Sequence, residues 1–307
     1  MACEFSVQFP GEFRAGLEAG FAALDEIDWM EERLSVFREE SELSRINREA
    51  AAHPVAASPE VYALLRKAAA LSRATGGAFD AAAGALVRAW GFLGGHGRVP
   101  EAEVHRAALA ASGSRWVRLH DLDRKVFFLR PGVEFNLGGI GKGYALDRAV
   151  DRIRAEFGAG CLLMQGGQSS LRAHGLPSGS RRGWRVAIGD PLVPRRTVAA
   201  VFLRNQAMGT SAATHRHLVH RGQRLGHILD PRTGWPARRL LSASVIASTA
   251  AEADALSTAF FVMGEEGARR YCAAHPGTGA VLVLPPKRLD AAAEVVILGA
   301  ADAEVNS

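Results

Sequence analysis

Residues 161–203 read CLLMQGGQSSLRAHGLPSGSRRGWRVAIGDPLVPRRTVAAVFL. Three apolar runs stand out, at 161–165, 184–188 and 198–203. Each has the length of a strand, and Gly, Pro and Ser fill the gaps between them. No segment of helical spacing separates the runs. A doubly wound parallel sheet needs a crossover helix after each strand, so this spacing favours an α+β fold.

The flanking sequence fits that class. Residues 4–9 alternate as a strand does. Residues 17–37 carry helical spacing at Leu17, Phe21, Leu24, Ile27 and Leu34. A second amphipathic helix is predicted over 59–74, opened by Ser58-Pro59 and stopped by Gly76-Gly77. A hairpin is predicted at 116–119 and 125–129, and a short strand at 133–137. A helix with apolar positions from Leu146 to Phe157 follows, with Gly158 at its end. Further on, strands are predicted at 242–247, 280–284 and 295–298, and a helix over 250–263. The expected architecture is mixed, largely antiparallel sheets flanked by helices.

The composition is that of a soluble globular chain: 48% hydrophobic and 22% charged over 307 residues. The net charge of +5 sits in scattered arginine doublets such as Arg181-Arg182 and Arg238-Arg239. They are not interleaved with aromatic residues, so they do not form a nucleic-acid footprint. An anionic small ligand accounts for the charge as well. Cys3, Cys161 and Cys272 are too far apart for a CxxC metal site. No apolar run approaches the roughly 18 residues needed to span a bilayer. The N-terminus shows neither a basic n-region nor an apolar h-region. As written, this implies a cytoplasmic protein; with an upstream leader, an extracytoplasmic, membrane-anchored one.

The stretch VEFNLGGIGKGYALDRAVD (133–151) raises the first question of chemistry. It is not a dinucleotide fingerprint, because Tyr144 stands where G-x-G-x-x-G needs its last glycine. Nor is it a P-loop: Asn136 replaces the first glycine, and Gly143 replaces the hydroxyl residue after Lys142. Glycines at a helix start with a lysine among them still suit an anion, since free N–H groups and positive charge converge there. The alternative is a tight turn with a solvated lysine.

Asp254 and Thr258 lie at i and i+4 of a predicted helix. A carboxylate and a hydroxyl so placed can both bind a hard divalent cation. The alternative, an exposed acid on the wet face of the helix, is the commoner arrangement for such a pair taken alone. In GHILDPRTGWP (226–236), His227 precedes a turn. It is either incidental to that turn or a general base, because imidazole titrates near neutrality. His215, His217 and His220 lie in polar, arginine-rich surroundings that read as loop or exposed strand rather than a metal cluster. Trp90 and Phe92 are either core or a surface for a planar ring. QGGQSS (165–170) and MGTSA (208–212) read as small-residue turns.

Seven segments in collinear order, covering nearly the whole chain, resemble the FAD:protein FMN transferases, the ApbE-type flavin transferases. They are SELSRIN (41–47), FDAAAGALVRAWGF (79–92), NLGGIGKGYALD (136–147), Gly166-Gly167, Thr210-Ser211, HILDPRTG (227–234) and EADALSTA (252–259). The resemblance implies a single flavin transferase domain over 1–307, with two α/β lobes sharing the FAD site. It implies Mg²⁺-dependent transfer of FMN from FAD to a threonine hydroxyl of an acceptor flavoprotein subunit, with release of AMP. Some members instead hydrolyse FAD to FMN and AMP, and a non-catalytic flavin-binding protein is a further alternative. By similarity, Lys142 and Asn136 contact FAD, while Met1, Trp90, Gly91 and Phe92 fall where members contact the flavin nucleotide. Mg²⁺ is expected on Asp254, Thr258 and the backbone carbonyl of Gly139, and His227 matches the proposed base. Three positions depart from the family pattern. Asn136 stands where aspartate is usual, keeping the shape and an oxygen but not the charge. Gln168 replaces a common acid, and Ala212 a usual glycine.

Overall fold

The structure, a computed structural model, describes residues 3–95, 97–212, 217–220, 222–286 and 293–305. In chain order the elements are β1 (Phe5–Gln8), α1 (Gly16–Leu34), α2 (Glu42–Glu49), β2 (Val55–Ala56), α3 (Pro59–Ala74), α4 (Gly84–Ala89), α5 (Ala102–Ala110), β3 (Val117–His120) and β4 (Lys125–Phe128). Then come α6 (Gly141–Phe157), β5 (Leu162–Gly166), β6 (Ser170–His174), β7 (Trp184–Gly189), β8 (Thr197–Leu203), β9 (Ala207–Ala212), β10 (His217–His220) and β11 (Gln223–Gly226). The chain ends with β12 (Ser242–Ala247), α7 (Ala250–Ala274), β13 (Gly279–Leu284), β14 (Glu294–Gly299) and β15 (Ala303–Val305). It divides into two compact units: Met1–Met30, Lys142–Ala212 and Arg239–Ser307 in the first, Glu31–Gly141 and Ala213–Arg238 in the second.

The first unit is built on a sheet of order β1-β5-β6-β9-β12-β13-β14, antiparallel at every pairing. A smaller antiparallel sheet, β15-β8-β7, packs on one of its faces. Leu163, Leu171, Met208, Ile246, Val281 and Val283 of the large sheet meet Val186, Ile188, Val201 and Leu203 of the small one. Every residue of β12 is buried, as befits a central strand covered on both sides. The opposite face carries α7. There Gly209 lies under Ala253, where a Cβ would come within 2.4 Å of the helix backbone.

MGTSA is therefore a strand, β9, and not the turn that its small residues suggest. The residues are small because α7 lies directly on them. Helix α1 also differs from expectation. Leu17, Phe21 and Leu24 are 71%, 60% and 43% exposed, whereas Ala19, Ala23, Ile27 and Met30 are buried. The alanine face lets α1 approach β1 and α6 closely. Arg148 and Arg152 of α6 pair with Glu26, and Arg152 also donates to the Ala22 carbonyl. Helix α7 runs past the predicted end at 263 to Ala274, with a break at Gly264 (φ 73°).

The second unit combines α2–α5 with a small sheet, β2-β4-β3, and the hairpin β10-β11. Leu86, Trp90, Phe92, Ala108, Leu225 and Leu229 form one of its cores. Helix α3 begins as predicted, with Pro59 in its first turn; the Ser58 amide and hydroxyl both donate to Glu42. Residues 133–137 are not a strand. Their polar groups go to side chains and a turn instead of a ladder. Asn47 exchanges two hydrogen bonds with Phe135 (2.8 and 3.0 Å), the Asn136 amide donates to Ala81, and the Gly84 amide donates to Glu134.

Gly143 fixes the approach of α6 to α7. A Cβ on it would lie 2.1 Å from the Ala250 carbonyl oxygen. Gly143→Ala is expected to cost about 1–3 kcal/mol or more through this overpacking. A thermal melt reads the loss as a fall of several degrees; an unchanged melting temperature would show that the two helices separate freely.

Candidate functional site

In the first unit, Asp254 is the centre. It is on α7 and only 7% exposed, which corrects the wet-face reading of its surroundings. One carboxylate oxygen accepts the Gly143 amide (2.8 Å) and the other the Ser170 hydroxyl (2.6 Å). The glycine loop therefore presents its helix-start N–H to an acid of the chain itself. Burial pushes the Asp254 carboxyl up to about 6. The Lys142 charge, the Ser170 hydroxyl and the Gly143 amide pull it back, and the Asp147 charge adds to the rise. A nearby positive charge favours the ionised form of a carboxylate so placed, and a divalent cation there would add to the effect of Lys142.

Thr258 stands one turn further along α7, half-buried, with its hydroxyl 3.3 Å from that of Ser211. Ser211 also bonds Ser257 (2.8 Å), and Ser257 donates to the Asp254 carbonyl (2.8 Å). Helix periodicity thus puts the acid and the alcohol on one face, and β9 holds that face in place. Lys142 donates to the Ser169 hydroxyl in the β5–β6 turn. That turn is tight because Gly167 adopts φ +58°. Gln168 in the same turn is exposed and Ala212 half-buried. Among the described residues no group of three or more His, Cys, Asp or Glu side chains is placed to hold a metal ion. The fit to a hard cation therefore rests on one buried carboxylate beside a hydroxyl, a set that leaves positions for water and ligand phosphate.

In the second unit, His227 follows β11 and is half-buried, its ring edge-on to Phe92 (centroids 6.4 Å apart, 76°). The turn after it is stiff. Asp230 takes the Arg232 guanidinium (2.8 Å twice) and its carbonyl takes the Gly234 amide (2.8 Å); Leu229 and Pro236 bridge across. Trp90 is fully buried, stacks on Phe92 (6.3 Å, 4°) and donates its indole N–H to the Gly234 carbonyl (2.8 Å). The side chains of Trp90 and Phe92 are core, so the ring-packing reading of them is withdrawn. The backbone here is largely committed as well: the Trp90, Gly91 and Phe92 amides donate to Leu86, Arg88 and Val87, the Trp90 carbonyl takes the Arg98 amide, and Gly91 turns the chain at φ +68°. Trp235, edge-on to Trp90 and 48% exposed, is the aromatic ring that faces solvent here.

Asn136 accepts the Gly138 amide (2.9 Å) through its side-chain oxygen, the atom it shares with aspartate. Gly139 is half-buried in the turn that follows. Met1 and His215 lie outside the described residues. His217 and His220 stand three apart on β10, so they point to opposite faces. Ser170, Ser211 and Asp147 entered the sequence reading only as members of the quoted segments QGGQSS, Thr210-Ser211 and NLGGIGKGYALD, with no role of their own. Ser170 and Ser211 sit on strands whose small polar residues gave no period-2 signal.

Asp254 also makes stability depend on pH. Its folded value near 6 lies above the ordinary carboxylate value of 3.8. The protonated form therefore favours folding; this contribution is complete below about pH 4 and is lost as pH rises through 6. The loss is on the order of 3 kcal/mol. In chelator, the stability of the wild type relative to Asp254→Asn is expected to fall by that amount between pH 4 and 7.5. Mg²⁺ is expected to offset the fall in the wild type alone. Calorimetry across this range checks both; a difference that does not vary with pH would show that Asp254 titrates normally.

A family model described as the ApbE family matches residues 1–282. A protein named "FAD:protein FMN transferase" from Treponema pallidum is 32% identical over 306 residues, covering 95% of this chain and 83% of that one. One of the same name from Klebsiella pneumoniae is 34% identical over 239 residues, covering 77% and 72%. Among solved structures, the ApbE protein of Thermotoga maritima superposes with a TM-score of 0.82 at 31% identity, covering 95% and 96%. The Pseudomonas stutzeri flavinyl transferase ApbE, apo form, gives 0.83 at 27% identity, covering 96% and 90%. Among the described residues no helix is long and apolar enough to cross a membrane.

Proposed function

The chain belongs to the ApbE family, and from that premise we propose that it transfers FMN from FAD to a threonine hydroxyl of an acceptor protein, with Mg²⁺, releasing AMP. The whole chain acts as one flavin transferase domain in this reading. The observation that carries it is the buried Asp254, bonded to the first turn of α6 and acted on by the Lys142 charge. Asp254 and Thr258 hold the metal, with the Gly139 carbonyl assigned by the family resemblance. Bound there, Mg²⁺ supplies charge neutralisation at the diphosphate.

The chain's own groups do the rest. Lys142 binds phosphate oxygens from the start of α6, where the helix end adds partial positive charge. By the family resemblance, Asn136, the segment from Trp90 to Phe92, and Met1 contact the nucleotide. The acceptor threonine oxygen forms a bond to the FMN phosphorus, and the bond from that phosphorus to the AMP phosphate oxygen breaks. AMP departs with the oxygen, and His227 receives the threonine proton.

The test is to incubate FAD, Mg²⁺ and the protein with and without an acceptor domain, measuring AMP and acid-stable flavin on the acceptor. AMP formed only with acceptor, matched by flavinylated threonine, is the expected result. AMP without acceptor would make the protein an FAD pyrophosphatase. FAD binding without AMP would make it a flavin carrier.

A further inference from the structure

Helices α6 and α7 exchange carboxylates. Asp254 of α7 accepts the amide of Gly143 in the first turn of α6 (2.8 Å). In return, Asp147 of α6 accepts the amides that open α7, Ala250 (2.8 Å) on one oxygen and Ala251 (2.9 Å) on the other. A helix start leaves four N–H groups without partners inside the helix. Of these, Asp147 takes the amides of Ala250 and Ala251 and the Thr249 hydroxyl takes that of Glu252 (3.2 Å), while the Thr249 carbonyl receives the first bond of the helix, from Ala253 (3.0 Å). Arg172 of β6 lies against Asp147 (Nε to Oδ1 3.5 Å) and also donates to the Ser248 carbonyl, so the corner from β12 into α7 is pinned from two sides. Both side chains are largely buried, at 14% and 15% exposure.

We propose that Asp147 is a positioning residue for the transfer reaction: it locks the first turn of α7 onto α6 and thereby holds the Asp254 carboxylate against Gly143 beside Lys142, a role that rests on Asp254 being the metal ligand. Thr249 stabilises α7 as any N-cap does, through bonds to Glu252 and Ala253 of the same helix. The Asp147 bonds instead join α7 to the helix that carries Lys142. Since Gly143 already touches Ala250, a small slip of α7 changes both Asp254 and Thr258. Groups that hold metal ligands in place typically change metal affinity by about 10–100-fold when removed.

The test uses the full chain with FAD and no acceptor, titrated with Mn²⁺ while free Mn²⁺ is read by electron paramagnetic resonance. Asp147→Ala is expected to weaken Mn²⁺ binding about 10-fold or more. Its transfer rate at saturating metal, measured separately with acceptor present, stays within a few-fold of wild type, so the half-saturating metal concentration moves and kcat does not. Asp147→Asn, which keeps one acceptor oxygen, falls between the two and serves if the alanine variant does not fold. Asp190→Asn is the control. Asp190 is another buried carboxylate holding backbone amides (Leu192 at 2.7 Å, Val193 at 3.1 Å) and an arginine of the same unit. It is expected to lower the melting temperature without moving the Mn²⁺ titration. Unchanged Mn²⁺ binding in both Asp147 variants, or an equal loss in Asp190→Asn, would overturn the proposal. Hydrogen exchange at the Gly143 amide gives a metal-free reading: faster exchange in Asp147→Asn supports the lock, and unchanged exchange refutes it. Absence of Mn²⁺ binding in the wild type would instead remove the metal assignment of Asp254, leaving the exchange measurement to decide on Asp147.

Discussion

Asp254→Ala is expected to reduce FMN transfer by about 10³-fold or more, with no recovery at millimolar Mg²⁺. Of the proposed ligands Asp254, Thr258 and the Gly139 carbonyl, the carboxylate is the one with a formal charge. Stabilisation of the transition-state charge by a bound cation is worth several kcal/mol, and each 1.36 kcal/mol is a decade in rate. The substitution also leaves the Gly143 amide and the Ser170 hydroxyl without their acceptor, a cost of about 1–3 kcal/mol per group. Removing a buried group that is reluctant to ionise compensates part of this cost above pH 6. Asp254→Asn separates the two effects. Its amide oxygen still accepts one of the two hydrogen bonds and its shape is unchanged, but it carries no charge. A folded Asn variant as inactive as the Ala variant assigns the loss to charge. Transfer within a few-fold of wild type in either variant would place the metal elsewhere.

Replacing His227 by Asn is expected to slow transfer by about 10²–10⁴-fold, the usual range for loss of a general base. FAD affinity should stay within a few-fold of wild type, because the imidazole is assigned to the acceptor proton and not to the nucleotide. The edge-on contact with Phe92 is lost too, at a stability cost of about 0.5–1.5 kcal/mol; a melting curve bounds it. Single-turnover kinetics with FAD and acceptor both saturating isolates the chemical step. A single-turnover rate equal to wild type would assign the proton to another group, and weakened FAD binding would move His227 into nucleotide recognition. The stiff turn from Asp230 to Gly234 makes a rearrangement of the backbone on substitution a poor explanation for either result.

Much of this protein was legible from local sequence. The absence of a helical segment between residues 161 and 203 favoured α+β over a parallel doubly wound sheet, and the sheet pairings are antiparallel. Strand β12 has the predicted bounds, and α3 starts at its Pro59 and ends at Ala74, just before Gly76-Gly77, because caps and breakers act on neighbouring backbone. Periodicity placed Asp254 and Thr258 on one helix face for the same reason. It misled at α1, where Leu17, Phe21 and Leu24 form an apolar stripe that the fold leaves in solvent. There the alanine face is the one narrow enough to pack against β1 and α6.

What the sequence determined by itself is the set of chemical groups, their order and their spacing within single elements. Tertiary structure decided which of those groups are dry and what they touch. Asp254 becomes a buried, hydrogen-bonded carboxylate, not a wet surface acid, because partners 111 and 84 residues away in the chain close over it. Trp90 becomes core because the carbonyl of Gly234, 144 residues on, takes its indole N–H. Desolvation and long-range hydrogen bonding depend on what is adjacent in space, and a linear spacing carries that information only within a turn or two of helix or across one hairpin.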